Sequence, residues 1–303
     1  MISVVIPTYN RAQFIADTIE SVLAQVYREF EVIVIDDGST DNTAEVVARF
    51  GDNVRYVSQT NSERAVSRNH GLRLARGEFV AFLDSDDCWE KQALIEMVKS
   101  LRANSAAALA AVGCSIVGAD NRVLSVFYPG GGVEGVLPEA FYHLLRTNVI
   151  GSPSSVLLRR SALERWGGFD EDRGLLGVED WELWARLAFH APIVCRRWPL
   201  VRYRRHFSNT PLATMRLRYP ILVEALLRNL SLTASQEEQI RSLCAQRLAE
   251  YAEELSRINE SAAAAYCAEA ARRLHPAAPA RFRSSEFRRQ DAHGQETNHG
   301  GGR

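Results

Sequence analysis

A chain of 303 residues that is 46% hydrophobic and 24% charged holds enough apolar material for one large or two small cores, which excludes general disorder. Its formal net charge of −1 excludes a global electrostatic attraction to nucleic acid, although arginines gather at Arg159–Arg160, Arg196–Arg197 and Arg202–Arg205. The five cysteines, at 88, 114, 195, 244 and 267, are scattered without a CxxC pair, which excludes a disulfide framework or a cysteine zinc site and points to a reducing compartment.

The chain opens on "ISVVIP" with no basic run ahead of it, and the longest weakly apolar stretch, residues 106–117, is too short to span a bilayer. A cytoplasmic protein without export signal or membrane anchor is expected. From residue 3 to 84, short β-branched runs alternate with helical periodicity: "SVVIP" then "AQFIADTIESVLAQ", "FEVIVID" then "TAEVVARF", "VRYV" then "ERAVSRNHGLRLAR", and "EFVAFLD". Such a rhythm predicts βαβ units around an open, mainly parallel sheet flanked by helices. Each strand runs into a polar cluster, "TYNR", "DGSTDN", "SQTN" or "SDD", and ligands of open α/β sheets bind outside the carboxyl ends of the strands.

Residues 106–210 read as a second half of the same domain, with a strand at 112–118, Gly-rich turns in "PGGGVEG", a strand "SSVLLRR" and a helix "EDWELWARLAFH". The expected organisation is therefore a domain over 1–210, halved at 105, a helical extension over 211–275, and a polar, disordered tail over 276–303.

Asp36 and Asp37 close the second strand. They suit a strand-to-helix turn in which Gly38 takes a positive φ and Ser39, Thr40 or Asp41 caps the next helix; an acid here can equally hydrogen-bond a nucleoside. In "FLDSDDCW", Asp84, Asp86 and Asp87 crowd four positions, more acids than a cap needs. Like charges this close are either solvated at the strand end or neutralised by a cation, and carboxylates are hard ligands for Mg²⁺ or Mn²⁺ shared with substrate phosphates.

The segments "VVIPTYNR", "VIVIDDGSTDNT", "SRNHGLRLARGEFVAFLDSDD" and "GGFDE…GVEDWELWARL", covering residues 2 to about 206, together resemble the family 2 glycosyltransferases, which have the GT-A fold. The resemblance implies an inverting transfer of sugar from a nucleoside diphosphate sugar, most often a UDP-sugar, to a hydroxyl of a glycan or lipid-linked acceptor. It further implies that Pro7, Thr8, Tyr9 and Asp37 hold the nucleobase. The D-x-D motif falls on Asp84, Ser85 and Asp86, facing ribose and a divalent metal; the "DSDD" run permits two registers, so Asp86 and Asp87 both stand as metal ligands. His206 follows the last sheet segment, where the family often has a histidine near the pyrophosphate, and joins them. Arg64 and Arg68, on the helix before that strand, are suited to balancing phosphate charge.

For the acceptor proton, the i, i+3, i+4, i+7 rule puts Asp180, Leu183, Trp184 and Leu187 on one inward face, with Glu179 turned by about 100°. With that face, the resemblance implies Asp180 as the general base and Glu179 as the residue that orients the acceptor or the loop. A haloacid-dehalogenase-like phosphatase, the rival with a D-x-D strand end, needs Thr or Val where Cys88 stands and the motif on the first strand. A catalytically inactive GT-A scaffold is the second alternative. The arginines at 196–205 and the helices after 213 also allow a peripheral contact with an anionic membrane. The sugar, the acceptor, the linkage and the oligomeric state are not legible.

Overall fold

The computed structural model describes residues 1–118, 120–206 and 211–276. The expected tail beyond Pro276 lies outside them. The described chain forms two compact units, one over Met1–Glu237 and one that begins at Glu238.

The first unit begins with β1 (Ile2–Thr8), α1 (Ile15–Leu23), β2 (Phe30–Asp36), α2 (Thr43–Ala48), β3 (Arg55–Ser58), α3 (Arg64–Leu74) and β4 (Phe79–Phe82). Every residue of β1 is buried, which is why its sequence is a continuous apolar run rather than an alternation. Ile2, Val4 and Ile6 join the core with Ile15, Ile19 and Val22 of α1, whose spacing gives one helical face. Val5 points the other way, under α3, where Gly71 lets helix and strand touch: a Cβ at Gly71 would stand 2.2 Å from Val5 Cγ1.

Strands β3, β2, β1 and β4 are parallel, in register Ser58↔Asp36, Asp36↔Thr8 and Phe82↔Val5. This brings the segments after residues 8, 36, 58 and 82 to one edge. Beyond β4 the sheet is mixed. The remaining strands are β5 (Cys88–Trp89), β6 (Leu109–Val117), β7 (Val123–Phe127), β8 (Gly135–Val136), β9 (Val156–Arg159) and β10 (Ile193–Arg204). The sheet order is β3-β2-β1-β4-β9-β6-β10-β5, with β9 antiparallel to both β4 and β6, and β10 parallel to β6. Helices α4 (Ala93–Ala103), α5 (Ala140–Leu144), α6 (Arg160–Trp166), α7 (Glu179–His190) and α8 (Leu212–Asn229) complete the unit.

Helix α7 departs from the single inward stripe expected of it. Trp181 and Glu182 are buried as well as Leu183, Trp184 and Leu187, because Arg186 clasps Glu182 at 2.9 Å one turn on and donates to the carbonyls of Trp166 and Gly168. Helix α8 belongs to this unit too: Tyr219, fully buried, donates to the Leu145 carbonyl, and its ring meets Trp181 at 5.4 Å. Two further helices are α9 (Ala234–Arg257), within which the unit boundary falls, and α10 (Ser261–Leu274). No helix among the described residues is long and apolar enough to cross a membrane.

Candidate active site

The carboxyl-end loops of the parallel strands open on a cavity of about 590 Å³, closed on its other side by the start of α7 and the end of β10. Of the residues singled out in the sequence, Pro7, Thr8, Tyr9, Asp37, Arg64, Arg68, Asp84, Ser85, Asp86, Glu179, Asp180 and His206 all line it. Asp87 does not.

Asp37 continues from β2 and faces the loop after β3. Its Oδ1 accepts from Gln59 Nε2 at 2.7 Å and the Ser62 amide at 2.9 Å, and its Oδ2 from the Glu63 amide at 3.0 Å. Glu63 holds a φ of +80°, unfavourable for any residue with a Cβ, so Asp37 clamps a strained turn that carries Asn61, Glu63 and Arg64 to the cavity. The sequence reading missed this clamping. Gly38, at φ +81°, has the Asn61 amide 3.1 Å from where a Cβ would lie, and the tight crossing of the two loops depends on it. The Thr8 hydroxyl is buried at the cavity wall and finds no hydrogen-bond partner among the described residues.

The three acids after β4 have three different environments. Asp84 Oδ1 receives Arg68 Nη2 at 2.8 Å. Asp86 Oδ2 lies 2.8 Å from His206 Nε2 and 3.4 Å from Arg11 Nε, while the His206 ring stacks on Phe14. Asp87 is 1% exposed; its Oδ2 accepts from Ser154 Oγ at 2.6 Å and its Oδ1 from the Arg204 amide at 2.9 Å. Burial first, then the charges of Asp86 and Asp84, push its pKa well above the usual carboxylate range. As a metal ligand Asp87 is not in reach of the cavity: its oxygens are spent tying β9's approach and β10 to the β4 loop. Of the two registers that the "DSDD" run permits, the one on Asp86 has its carboxylate at the cavity.

The metal expectation narrows to Asp86 and His206. An oxygen and an imidazole nitrogen side by side fit a divalent ion of the Mn²⁺ or Mg²⁺ type that takes its other ligands from phosphates and water. Among the described residues no group of three or more His, Cys, Asp or Glu converges as a closed site.

At the start of α7 both acids reach the cavity. Glu179 is 3% exposed, and the rotation expected to turn it away instead lays it against α3, where its Oε1 receives Arg68 Nη1 at 2.8 Å. Its Oε2 accepts the Gly177 amide. Asp180 is half-buried, and its Oδ1 accepts the Trp181 amide at 2.7 Å. Burial, then the adjacent Glu179 carboxylate, push its pKa up to about 7, with Arg68 pulling the other way. A carboxylate of that basicity takes a proton at neutral pH far more readily than an ordinary surface aspartate.

Arg11 and Tyr203 line the cavity and were not singled out. Arg11 is the last letter of "VVIPTYNR" and Tyr203 lies in "VRYRR", but neither carries a spacing signal of its own.

Comparison with known proteins follows the same residues. The profile of "Glycosyl transferase family 2" matches residues 3–167, more than half of the chain. TuaG of Bacillus subtilis, a glycosyltransferase named for teichuronic acid biosynthesis, is 37% identical over 132 residues, 42% of this chain and 52% of its own length. Matches to two rickettsial glycosyltransferases span only 18% of those proteins. Among solved structures, S. aureus TarS 1-349 in complex with UDP-GlcNAc superposes with a TM-score of 0.62 at 18% identity, covering 91% of this chain and 90% of that one. The mannosyltransferase PcManGT of Pyrobaculum calidifontis, in complex with GDP-Man and Mn²⁺, gives 0.57 at 21% identity over 91% and 87%. At these identities the structural likeness shows the GT-A fold.

Proposed function

The chain belongs to glycosyl transferase family 2, and from that premise we propose that it transfers a sugar from a nucleoside diphosphate sugar, with UDP as the nucleotide, to a hydroxyl of a glycan or lipid-linked acceptor in cell-envelope polysaccharide synthesis, with inversion at the anomeric carbon. The observation that carries this reading is one cavity that a carboxylate with its pKa near 7, Asp180, lines together with the D-x-D acids Asp84 and Asp86 and with His206. The names of the neighbours support the donor class, since TarS is seen with UDP-GlcNAc and PcManGT with GDP-Man and Mn²⁺.

Asp37, Thr8 and the strained turn at Asn61–Arg64 bind the nucleoside, and Asp84 and Ser85 the ribose. Asp86 and His206 would hold Mn²⁺ or Mg²⁺, which when bound supplies the positive charge that neutralises the departing diphosphate. Asp180 accepts the proton of the acceptor hydroxyl while that oxygen forms the new bond to the anomeric carbon and the bond to the diphosphate breaks. Glu179 orients the loop at Gly177 and the guanidinium of Arg68.

The test compares two neighbouring acids. Asp180→Asn keeps the shape but cannot take the proton, so turnover of a UDP-sugar is expected to fall roughly 10²- to 10⁴-fold with UDP affinity nearly unchanged. Glu179→Gln is expected to cost less in turnover. A dead Glu179→Gln beside an active Asp180→Asn would move the base to Glu179, and retained turnover in both would remove the reading.

A further inference from the structure

Resting on the reading of Asp180 as the base, we propose that Arg68 is a positioning residue that ties the first D-x-D acid to the first turn of α7 and so sets the charge state in which the base waits. Arg68 is 2% exposed, and its guanidinium lies between Asp84 and Glu179, 2.8 Å from an oxygen of each. The Phe169 ring flanks it, 5.2 Å from the guanidinium carbon to the ring centroid. Phosphate balancing, the role its position in the sequence suggested, is not what this geometry favours: both terminal nitrogens are committed to protein carboxylates.

A planar guanidinium can hold two carboxylates in a fixed mutual orientation, which a flexible ammonium does less well. The two it holds come from opposite walls. Asp84 follows β4 and Glu179 begins α7, so Arg68 on α3 joins the donor side of the cavity to the side that carries Asp180. Because Glu179 is also fixed by the Gly177 amide, the backbone of the next residue, Asp180, inherits that placement.

Electrostatics follow from the same contacts. Asp180 faces Glu179 on α7, Arg68 on α3, Asp84 after β4 and Tyr203 on β10, with Arg64 at the rim 3.8 Å from Glu179. Arg68 is the buried cation among these groups. Burial works against its charge, yet Asp84 and Glu179 hold its pKa above the ordinary guanidinium range, so it stays charged at any working pH. Without it Asp84, Glu179 and Asp180 would face one another with no buried cation between them, and Asp180 would keep its proton to higher pH.

The experiment is a ¹³C NMR titration of the aspartate carboxyl carbons in the full-length protein, with the Asp180 signal assigned by its loss in Asp180→Asn. In Arg68→Met the Asp180 midpoint is expected to rise by about one unit or more, and Arg68→Lys, which restores the charge, to return most of the way to wild type. Should Arg68→Met fail to fold, Glu179→Gln is compared with Arg68→Met/Glu179→Gln. The double variant is expected to titrate about one unit above the single one, because only the cation differs between them. A midpoint that is unmoved by loss of Arg68 in the folded background overturns the proposal. Since the titration needs no substrate, an active Asp180→Asn would sink the base assignment while leaving this electrostatic link measurable on its own.

Discussion

At the scale of single residues, two aspartates with raised pKa values serve different ends, and the difference is access. Asp87 is shut in the protein with both oxygens bonded, so its proton affinity is a by-product of holding Ser154 and the Arg204 amide. Asp180 lines the cavity, where the same burial yields a base. That basicity carries a cost in stability whose sign can be worked out. In the unfolded chain an aspartate titrates at about 3.9, and in the fold Asp180 titrates near 7. The folded state therefore binds this proton more tightly, and stability from this group falls as pH rises from about 4 through 7. Asn at 180 cannot ionise. We expect Asp180→Asn to melt at a higher temperature than wild type at pH 8 and at nearly the same temperature at pH 4, as read by calorimetry; a difference that does not change with pH would mean that the carboxyl is not held neutral by the fold.

At the scale of elements, what the sequence disclosed depended on regularity. The helix over 179–190 coincides with its predicted range, and the strands and helices up to residue 84 differ from theirs only at the ends, because continuous apolar runs and 3.6-residue periods are local signals. Strand β10 was not legible: "IVCRRWPLVRYR" breaks its pattern with Arg196, Arg197 and Pro199, and its register against β6 shifts on either side of Pro199. Yet β10 leads to His206 and supplies the amide that Asp87 accepts, so part of the geometry around the acids after β4 hangs on an element without a periodic signature. The clamp by Asp37 and the bridge by Arg68 were illegible for another reason, being contacts across 25 and 111 residues. The packing of α3 on β1 is the element contact most open to test. Gly71→Ala would drive a methyl into Val5, and overpacking of this kind costs about 1–3 kcal/mol. Unfolding in urea should show that loss, together with weaker UDP binding as Arg68 and the Asn61–Arg64 turn move with the helix; a stability equal to wild type would show that α3 shifts freely.

At the scale of the whole molecule, a formal net charge of −1 conceals a local imbalance. Among the described residues the cavity is lined by six carboxylates, Asp37, Glu63, Asp84, Asp86, Glu179 and Asp180, against three guanidiniums, Arg11, Arg64 and Arg68. Arg68 is already committed to two of those acids, and Arg11 sits 3.4 Å from a third. A nucleoside diphosphate entering here brings further negative charge to a cavity whose lining carries more acids than guanidiniums. A divalent cation between Asp86, His206 and the phosphates would reverse that sign where the diphosphate lies. UDP affinity measured by titration calorimetry is therefore expected to fall by about tenfold or more when Mn²⁺ is replaced by EDTA, while uridine, which lacks the phosphates, should bind equally in both. His206→Ala should lose most of the Mn²⁺-dependent gain without changing the affinity for uridine. If UDP binds as tightly in EDTA as in Mn²⁺, the cavity's arginines must release their carboxylates to meet the phosphates, and the pair Asp86 and His206 would have to be read as a structural hydrogen bond.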